Sequence, residues 1–225
     1  MGKNLPKRNY QKELEAVIET LQTKRQVSSL LLHSCCAPCS SAVLERIAKA
    51  FDITVFYFNP NIEPQREYDK RVEELDKLLS CLRETADVSL LVGRYEPQEF
   101  YDAVKGLEHS GEGGERCYRC YELRLRETAK MAASQKFDCF TTTLSISPYK
   151  RADWLNEIGQ HLSEEYCVDY LYSDFKKKNG YRRSIELSKE YGLYRQDYCG
   201  CRFSKAEREN VKRQRQAGAG EALEN

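Results

Sequence analysis

The sequence predicts a single α/β domain in a Rossmann-like arrangement, with a mainly parallel sheet covered by helices on both faces. Short apolar runs of the kind that form buried strands alternate with longer stretches whose apolar residues recur at spacings of three and four. Parallel neighbouring strands need a crossover connection, which a helix supplies. A chain of 225 residues is long enough for one well-buried core.

The elements follow one another in this alternating order. The sequence Ser-Ser-Leu-Leu-Leu-His predicts the first strand at Ser28–His33, directly after an amphipathic helix over 10–25. Further strands are predicted over 53–58, 88–92, 138–144 and 168–172. Helices are predicted after residue 40, after Glu63-Pro64, and over 97–104, 117–133 and 152–165. Ser40 or Ser41 is expected to cap the helix that follows the first strand.

Composition argues against two classes of protein. The 36 Lys and Arg residues nearly balance 35 Asp and Glu residues, and a net charge of +1 does not make the whole surface an electrostatic clamp for nucleic acid. No stretch approaches the roughly 18 apolar residues of a membrane span, and the first residues contain no apolar signal segment. The sequence therefore predicts a cytoplasmic protein with no membrane partner.

The ten cysteines carry the strongest functional signal. Seven of them fall into three groups: Cys35-Cys36-Ala-Pro-Cys39, Cys117-Tyr-Arg-Cys120 and Cys199-Gly-Cys201. Ten in 225 is below the roughly 8–10 per cent typical of disulfide scaffolds, and clustered thiols in a reducing compartment usually bind metals or take part in catalysis.

Four of these cysteines are predicted to share one metal centre. Cys35 and Cys36 follow the first strand, and ligands of open α/β sheets bind beyond the carboxyl ends of strands. The segment lacks glycine and contains Pro38, which argues against a phosphate-binding loop. Together with Cys117 and Cys120, the vicinal pair supplies the four thiolates that a zinc site or an iron-sulfur cluster needs.

The Cys199-Gly-Cys201 group predicts a redox pair, because so short a separation allows a strained, easily reduced disulfide. In an alternative interpretation these thiolates hold a second metal together with Asp197 or Asp174. Cys39 could join either site, and the sequence does not separate the two readings.

The remaining cysteines and the histidines are predicted to be structural. Three isolated cysteines lie among apolar residues, where a thiol behaves as a small hydrophobe: Cys81, Cys139 and Cys167. The histidines lack the mutual spacing of a metal site and are expected to have structural or surface roles: His33, His109 and His161.

One segment has the composition of an RNA-binding surface. Residues 175–183, Phe-Lys-Lys-Lys-Asn-Gly-Tyr-Arg-Arg, contain five cations with four tyrosines in or near them: Tyr181, Tyr191, Tyr194 and Tyr198. Cations neutralise phosphates while aromatic rings stack on unpaired bases. A solvated basic loop explains the composition equally well. Three cations further on could extend the patch: Lys212, Arg213 and Arg215.

Four motifs, in order, identify a family: His33-Ser-Cys-Cys-Ala-Pro-Cys-Ser40, Tyr57-Phe-Asn-Pro-Asn-Ile62, Ser145-Ile-Ser-Pro-Tyr-Lys150 and Tyr194-Arg-Gln-Asp-Tyr-Cys-Gly-Cys201. Over residues 30–204 the chain resembles the QueH-type epoxyqueuosine reductases, which do not use cobalamin. The resemblance implies reduction of the epoxide of epoxyqueuosine, at the wobble position of the tRNA anticodon, to queuosine.

The resemblance also implies cofactors and partners. It implies a 4Fe-4S cluster on Cys35, Cys36, Cys117 and Cys120, a redox-active pair at Cys199 and Cys201, and an additional mononuclear iron near the cluster. The expected partners are the anticodon loop of a tRNA that carries epoxyqueuosine and an external electron donor. At the end of the predicted fourth strand, Tyr149 and Lys150 are candidate proton donors or substrate anchors.

Three functional regions follow from these expectations: an N-terminal helical extension (1–27), an α/β metal-binding catalytic domain (28–205), and a C-terminal helix with a disordered tail (206–225), whose Ala-Gly composition begins at Ala217. Two alternatives stay open. The cysteines could stabilise a non-catalytic, zinc-binding RNA module, or the protein could be a thiol-disulfide oxidoreductase.

Overall fold

The computed structural model describes residues 8–82 and 87–221, with side chains up to residue 214. Its centre is one sheet of five parallel strands in the order β3-β2-β1-β4-β5. The strands are β1 (Ser28–His33), β2 (Phe51–Tyr57), β3 (Val88–Val92), β4 (Cys139–Thr142) and β5 (Asp169–Tyr170). The predicted α/β class with a parallel sheet is confirmed.

Eight helices and one 3₁₀ turn connect and cover these strands among the described residues. They are α1 (Tyr10–Lys24), α2 (Ala37–Ile47), α3 (Gln65–Leu82), α4 (Pro97–Ala103), α5 (Glu115–Gln135), the 3₁₀ turn η1 (Thr143–Ile146), α6 (Ala152–Tyr166), α7 (Gly180–Glu190) and α8 (Arg202–Glu221).

Two apolar cores lie on opposite faces of the sheet. Leu14 of α1 and residues of α2, α3 and α7 pack together on one face, and residues of α5 and α6 pack on the other. β1 is central and almost completely buried, with Leu30, Leu31 and Leu32 inaccessible to solvent. Because all strands run in one direction, the loops after β1, β2 and β4 meet at a single edge.

The loop after β1 is shorter than the sequence predicted. The expected cap at Ser40 or Ser41 is wrong, because α2 already begins at Ala37 with Cys36 as its N-cap residue. Pro38 suits this first turn, where its missing N–H costs no helical hydrogen bond. The hydroxyls of Ser40 and Ser41 instead donate back to the carbonyls of Cys36 and Pro38.

The fourth strand is also shorter than predicted. β4 ends at Thr142, whose hydroxyl accepts a hydrogen bond from the Leu144 amide at 3.1 Å and turns the chain into η1. A side chain that bonds the backbone two residues ahead competes with continued strand pairing. The result aims the following loop at the cysteine-bearing edge of the sheet.

At the C-terminus, α8 begins at Arg202, inside the range predicted for the catalytic domain. It is helical up to Glu221, past Ala217, where a disordered tail was expected to begin. Across the described chain, every helix is too short or too polar to cross a bilayer.

The isolated cysteines divide into two kinds. Cys139 is buried, as predicted, whereas Cys81 and Cys167 are exposed, so the buried role predicted for those two is wrong. Cys167 ends α6 in a left-handed conformation with φ 52°, which places it at a helix terminus rather than in the core. His33 is fully buried between the Thr142 hydroxyl and the Phe58 carbonyl, which confirms a structural role for it.

Candidate active site

All three cysteine groups lie at the N-terminal ends of helices. Cys35 and Cys36 precede α2, Cys117 lies in the first turn of α5, and Cys199 and Cys201 directly precede α8. Helix N-termini carry partial positive charge that favours thiolates over thiols. The fold therefore gives each group a similar electrostatic setting from three separate parts of the chain.

The first group is compact. The sulfur atoms of Cys35, Cys36 and Cys39 all lie within 4.8 Å of one another, and those of Cys35 and Cys36 are 3.8 Å apart. The extended backbone at Cys36 and the early start of α2 bring Cys39 onto the same side as the vicinal pair. The sequence left Cys39 free to join either metal or redox site, and the structure places its sulfur beside those of Cys35 and Cys36.

The protonation of this group is uneven. Hydrogen bonds from Cys36 and Cys39 hold the pKa of the Cys35 thiol well below its usual value, although burial opposes the shift. The same contact with Cys35 raises the pKa of Cys36 to about 11 and raises the pKa of Cys39. Of the three, Cys35 is therefore the thiol that loses its proton most readily.

Cys117 and Cys120 lie on α5, outside the set of sulfur atoms within 4.8 Å of one another. Cys117 packs against the same apolar core as Cys35 and Cys36. Cys120 is buried in a neighbouring cluster that also contains Cys201. Burial raises the pKa of Cys117, and raises that of Cys120 to about 11.

The Cys199-Gly200-Cys201 turn holds its two sulfur atoms 3.5 Å apart. Gly200 has φ +118°, and a Cβ there would lie 2.8 Å from Ile62 Cγ1 and 3.0 Å from Arg71 Nη1. The Gly200 carbonyl accepts from the Glu63 amide, and the Cys199 carbonyl accepts from Arg71 Nη1. Only glycine fits this position, because both the backbone conformation and the lack of space exclude a side chain.

The two thiols of this turn differ in acidity. The hydrogen bond between Cys199 and Cys201 holds the pKa of Cys199 well below its usual value, against the effect of burial and with help from the charge of Lys150. The pKa of Cys201 is raised by its contact with Cys199. Cys199, which lines a cavity, is thus the more nucleophilic of the pair.

Cations without carboxylate partners surround the sulfur atoms. Among the described residues Arg124 forms no ion pair, and it donates to the Cys120 carbonyl at 3.2 Å and to Asn59 Oδ1 at 3.3 Å. Burial lowers the pKa of Arg124, but interaction with the ionised forms of Cys120 and Cys35 more than offsets this effect. Burial likewise lowers the pKa of Lys150, and the charge of Cys35 and Cys199 raises it above its usual value.

These groups enclose a cavity of about 350 Å³ beyond the carboxyl ends of β1 and β4. Its lining includes Lys150 and four cysteines: Cys35, Cys36, Cys39 and Cys199. The rim contains three tyrosines, two arginines and two carboxylates: Tyr149, Tyr181, Tyr198, Arg195, Arg208, Glu112 and Asp197. A small molecule or a single nucleotide side group fits a cavity of this size.

Comparison with known proteins identifies the family. The family model described as "Epoxyqueuosine reductase QueH" matches residues 30–207. The chain belongs to this family. A relative of that name from Streptococcus pyogenes serotype M1 is 40% identical over 198 residues, which are 87% of this chain and 78% of the relative.

Two further relatives agree with this QueH assignment. The protein from Staphylococcus epidermidis is 40% identical over 200 residues, covering 87% of this chain and 84% of its own length. The protein from Thermotoga maritima is 38% identical over 185 residues, covering 81% of this chain and 93% of its own. Both are named epoxyqueuosine reductase QueH, and the resemblance inferred from the four motifs is confirmed.

In this QueH chain, the cations of the basic segment 175–183 are mostly ion-paired rather than free to bind phosphate. Four of its five cations form ion pairs: Lys176 with Asp174, Lys178 with Glu15, Arg182 with Glu186, and Arg183 with Glu45. Phe175 is buried rather than available for stacking. Two of the cations proposed to extend the patch are paired as well, Lys212 with Asp197 and Arg213 with Glu209. The structure favours the solvated, ion-paired loop over an RNA surface.

Sequence reasoning missed three buried polar residues of the site: Asn59, Arg71 and Arg124. Asn59 donates to the Ser34 carbonyl and accepts from Arg124, so it links the loop after β1 to α5. Arg71 pairs with Glu67, four residues earlier on α3, and that spacing is visible in the sequence. The burial of Arg71 and its hydrogen bond to the Cys199 carbonyl are not visible in the sequence. They depend on the Cys199 turn, which lies 128 residues further along the chain.

Proposed function

We propose that this protein reduces the epoxide of epoxyqueuosine in tRNA to the cyclopentene of queuosine. The match to the epoxyqueuosine reductase QueH model over residues 30–207 carries the proposal. The cavity lined by free thiols supports it, because a reductive reaction needs groups that can give up electrons. The tRNA anticodon loop and an external electron donor are the partners that this function requires.

The donor set fits an iron-sulfur cluster. Thiolates are the ligands that iron-sulfur clusters use, and Arg124 and Lys150 supply positive charge that suits an anionic centre. We infer that Cys35, Cys36, Cys117 and Cys120 would hold a 4Fe-4S cluster, and that Cys39 is a candidate ligand for an additional mononuclear iron. When bound, such a cluster supplies electrons one at a time.

The electron balance explains the need for a second cysteine pair. Removing the epoxide oxygen to leave an alkene takes two electrons and two protons, and the oxygen leaves as water. Oxidation of the Cys199 and Cys201 thiols to one disulfide releases two electrons and two protons. The external donor then returns two electrons, with two protons from solvent, and restores the dithiol. The 3.5 Å separation of the two sulfur atoms suits this role.

The protein groups around the cavity orient the substrate. Lys150 lies close enough to both Cys35 and Cys199 to interact with their charge, and its Nζ can donate a hydrogen bond to the epoxide oxygen. Arg71 and Gly200 fix the direction of the Cys199 turn. Tyr149, which the sequence paired with Lys150 as a proton donor or anchor, lies at the rim and suits an anchoring role.

The function is tested in cells that lack this protein and any cobalamin-dependent substitute. Nucleoside analysis of their tRNA is expected to show accumulated epoxyqueuosine, and restoring the gene is expected to replace it with queuosine. Unchanged queuosine in the deleted cells would contradict the proposal.

A zinc-binding RNA module is the second candidate, and the three thiols within 4.8 Å favour it because a single ion can bind them. Metal and sulfide analysis of anaerobically purified protein separates the two. Near-equal iron and acid-labile sulfide supports the reductase, whereas stoichiometric zinc without sulfide supports the module. A thiol-disulfide oxidoreductase would keep its activity after complete removal of metal.

A further inference from the structure

We propose that the rim of the cysteine cavity, formed by Tyr149, Tyr181, Arg195 and Arg208, is the surface that contacts RNA. Tyr149 stacks on an unpaired base of the anticodon loop, and the two arginines contact the flanking phosphates. The inference rests on the proposed function and deepens it, because it assigns the tRNA contact to particular residues. It also replaces the five cations of the segment 175–183 as the expected RNA contact, while Tyr181 of that segment stays part of the rim.

The exposure of Tyr149 is the first observation. Its side chain is 61% exposed, one of the few large hydrophobic side chains with this exposure among the described residues. It lies next to Lys150 and lines the mouth of the cavity. A tyrosine ring in this position contributes little to folding, and an exposed flat ring at a cavity mouth suits stacking on an unpaired base.

The arginines of the rim are the second observation. Within the described chain neither Arg195 nor Arg208 forms an ion pair, because Arg195 bonds the Ser184 carbonyl and Ser188 hydroxyl and Arg208 bonds the Asp197 carbonyl through Nε. Guanidinium groups have five N–H donors in a planar fork that matches phosphate oxygens. Both arginines therefore keep donors and full charge for an anionic ligand.

Rings and cations alternate along this rim. The Arg195 guanidinium lies 5.5 Å from the centre of the Tyr181 ring, and that of Arg208 lies 5.9 Å from the Tyr149 ring. Of the two rim carboxylates, Asp197 is neutralised by Lys212 at 2.7 Å. Alternating cations and aromatic rings are typical of proteins that bind single-stranded nucleic acid.

The cations of the segment 175–183 lack these properties, although its Tyr181 is part of the rim. Four of its five cations already have carboxylate partners, and the negative charge of those carboxylates cancels much of the local attraction for a phosphate. The rim also surrounds a cavity that four cysteines line. A nucleotide turned out of a loop can reach the cysteines from the rim while its neighbours stay on Tyr149.

The experiment measures binding of tRNA that carries epoxyqueuosine to anaerobically purified, full-length protein over a range of salt concentrations. Tyr149→Ala is expected to weaken binding about tenfold, the effect of losing one stacked base. Arg208→Gln is expected to weaken binding and to reduce the slope of log affinity against log salt by about one. The matched control Arg183→Gln removes an arginine from the segment 175–183 and is expected to bind like the wild type.

Conservative variants exclude a folding defect as the cause. Tyr149→Phe keeps the stacking ring and Arg208→Lys keeps the charge, so both are expected to bind more tightly than Tyr149→Ala and Arg208→Gln. The inference would be overturned if Tyr149→Ala and Arg208→Gln bound tRNA as tightly as the wild type. It would also be overturned if Arg183→Gln lost more tRNA affinity than either of these variants.

The outcome is separable from that of the proposed function. If wild-type protein converts epoxyqueuosine but the rim variants bind tRNA normally, only the inference fails. If the wild type binds tRNA through the rim yet leaves epoxyqueuosine unchanged, the inference stands and the proposed function fails.

Discussion

The cysteine cavity and the segment 175–183 both concentrate positive charge, but the fold treats the two sets of cations differently. At the cavity, Arg124 and Lys150 face sulfur atoms and form no ion pair with any described carboxylate. In the segment, Lys178 and Arg183 pair with Glu15 and Glu45. A dense run of cations in the sequence therefore does not identify a binding surface, whereas cations that the fold leaves without carboxylates do.

Physical chemistry explains why the difference matters. An exposed ion pair contributes only about 0–1 kcal/mol, so the pairs of the segment are weakly held surface contacts. A buried cation is costly unless negative charge lies close to it. The burial of Arg124 beside the thiols of Cys35 and Cys120 therefore indicates a site built to carry negative charge on sulfur.

The largest effect is expected when a thiol is removed from the cavity. Cys35→Ser is expected to lose the iron-sulfur chromophore and reduce epoxyqueuosine no faster than background, because serine is a poor ligand for iron in a cluster. The control Cys81→Ser removes an exposed thiol and is expected to keep both. Iron, acid-labile sulfide and conversion are measured on both variants. Full chromophore in Cys35→Ser would contradict the proposed ligand set.

The next effect is expected at the Cys199 turn. Gly200→Ala forces a Cβ against Ile62 and Arg71 at a positive φ, and is expected to cost about 2–4 kcal/mol of unfolding free energy. Conversion of epoxyqueuosine is expected to fall with it. The control Gly106→Ala has a positive φ of +84° with no atom within 4 Å of the added Cβ, and is expected to cost about 1–2 kcal/mol. Urea unfolding measures the free energy of both variants. Equal losses of unfolding free energy in Gly200→Ala and Gly106→Ala would show that the Cys199 turn is not crowded.

A smaller effect is expected from removing the unpaired charge of the cavity. Arg124→Gln leaves Asn59 Oδ1 or the Cys120 carbonyl without its donor, with an expected cost of about 1–3 kcal/mol. The midpoint potential of the metal centre is expected to fall, because less positive charge remains to stabilise the reduced, more negative form. Redox titration under nitrogen measures the shift. An unchanged potential would mean that Arg124 acts only as a structural link to Asn59.

The smallest effect is expected in the segment. Arg183→Gln breaks exposed ion pairs with Glu45 and Glu186 and is expected to change the unfolding free energy by only about 0–1 kcal/mol. The midpoint potential and the iron content are expected to match those of the wild type. If Arg183→Gln lowered the unfolding free energy or the midpoint potential as much as Arg124→Gln, the contrast between the two regions would disappear.

Much of the fold follows from local patterns. The apolar runs of β1 and β3 gave strands with the predicted limits, because a buried parallel strand is marked by its own composition. The shorter β4 depends on one hydroxyl, that of Thr142, which bonds the next turn. Cys167 is exposed because α6 ends on it in a left-handed conformation, a feature that its apolar neighbours do not reveal.

The site was only partly predictable, because local patterns do not show contacts between distant parts of the chain. The position of Cys35 and Cys36 at the sheet edge follows from their place after the first strand. The roles of Arg71 and Arg124 depend on partners far away in the sequence, such as the Cys199 carbonyl and Asn59. The pairing of Arg183 with Glu45, 138 residues earlier, was likewise invisible and made the segment look like an RNA surface.

The most direct test of the central claim is conversion by the isolated protein. Anaerobically purified protein that contains iron and acid-labile sulfide is mixed with tRNA carrying epoxyqueuosine and an excess of a chemical reductant, and the digested nucleosides are separated by mass. The predicted result is that the wild type removes one oxygen atom and forms queuosine. The Cys35→Ser variant is predicted to form no queuosine. Unchanged epoxyqueuosine in the presence of intact, reduced cluster and bound tRNA would contradict the account.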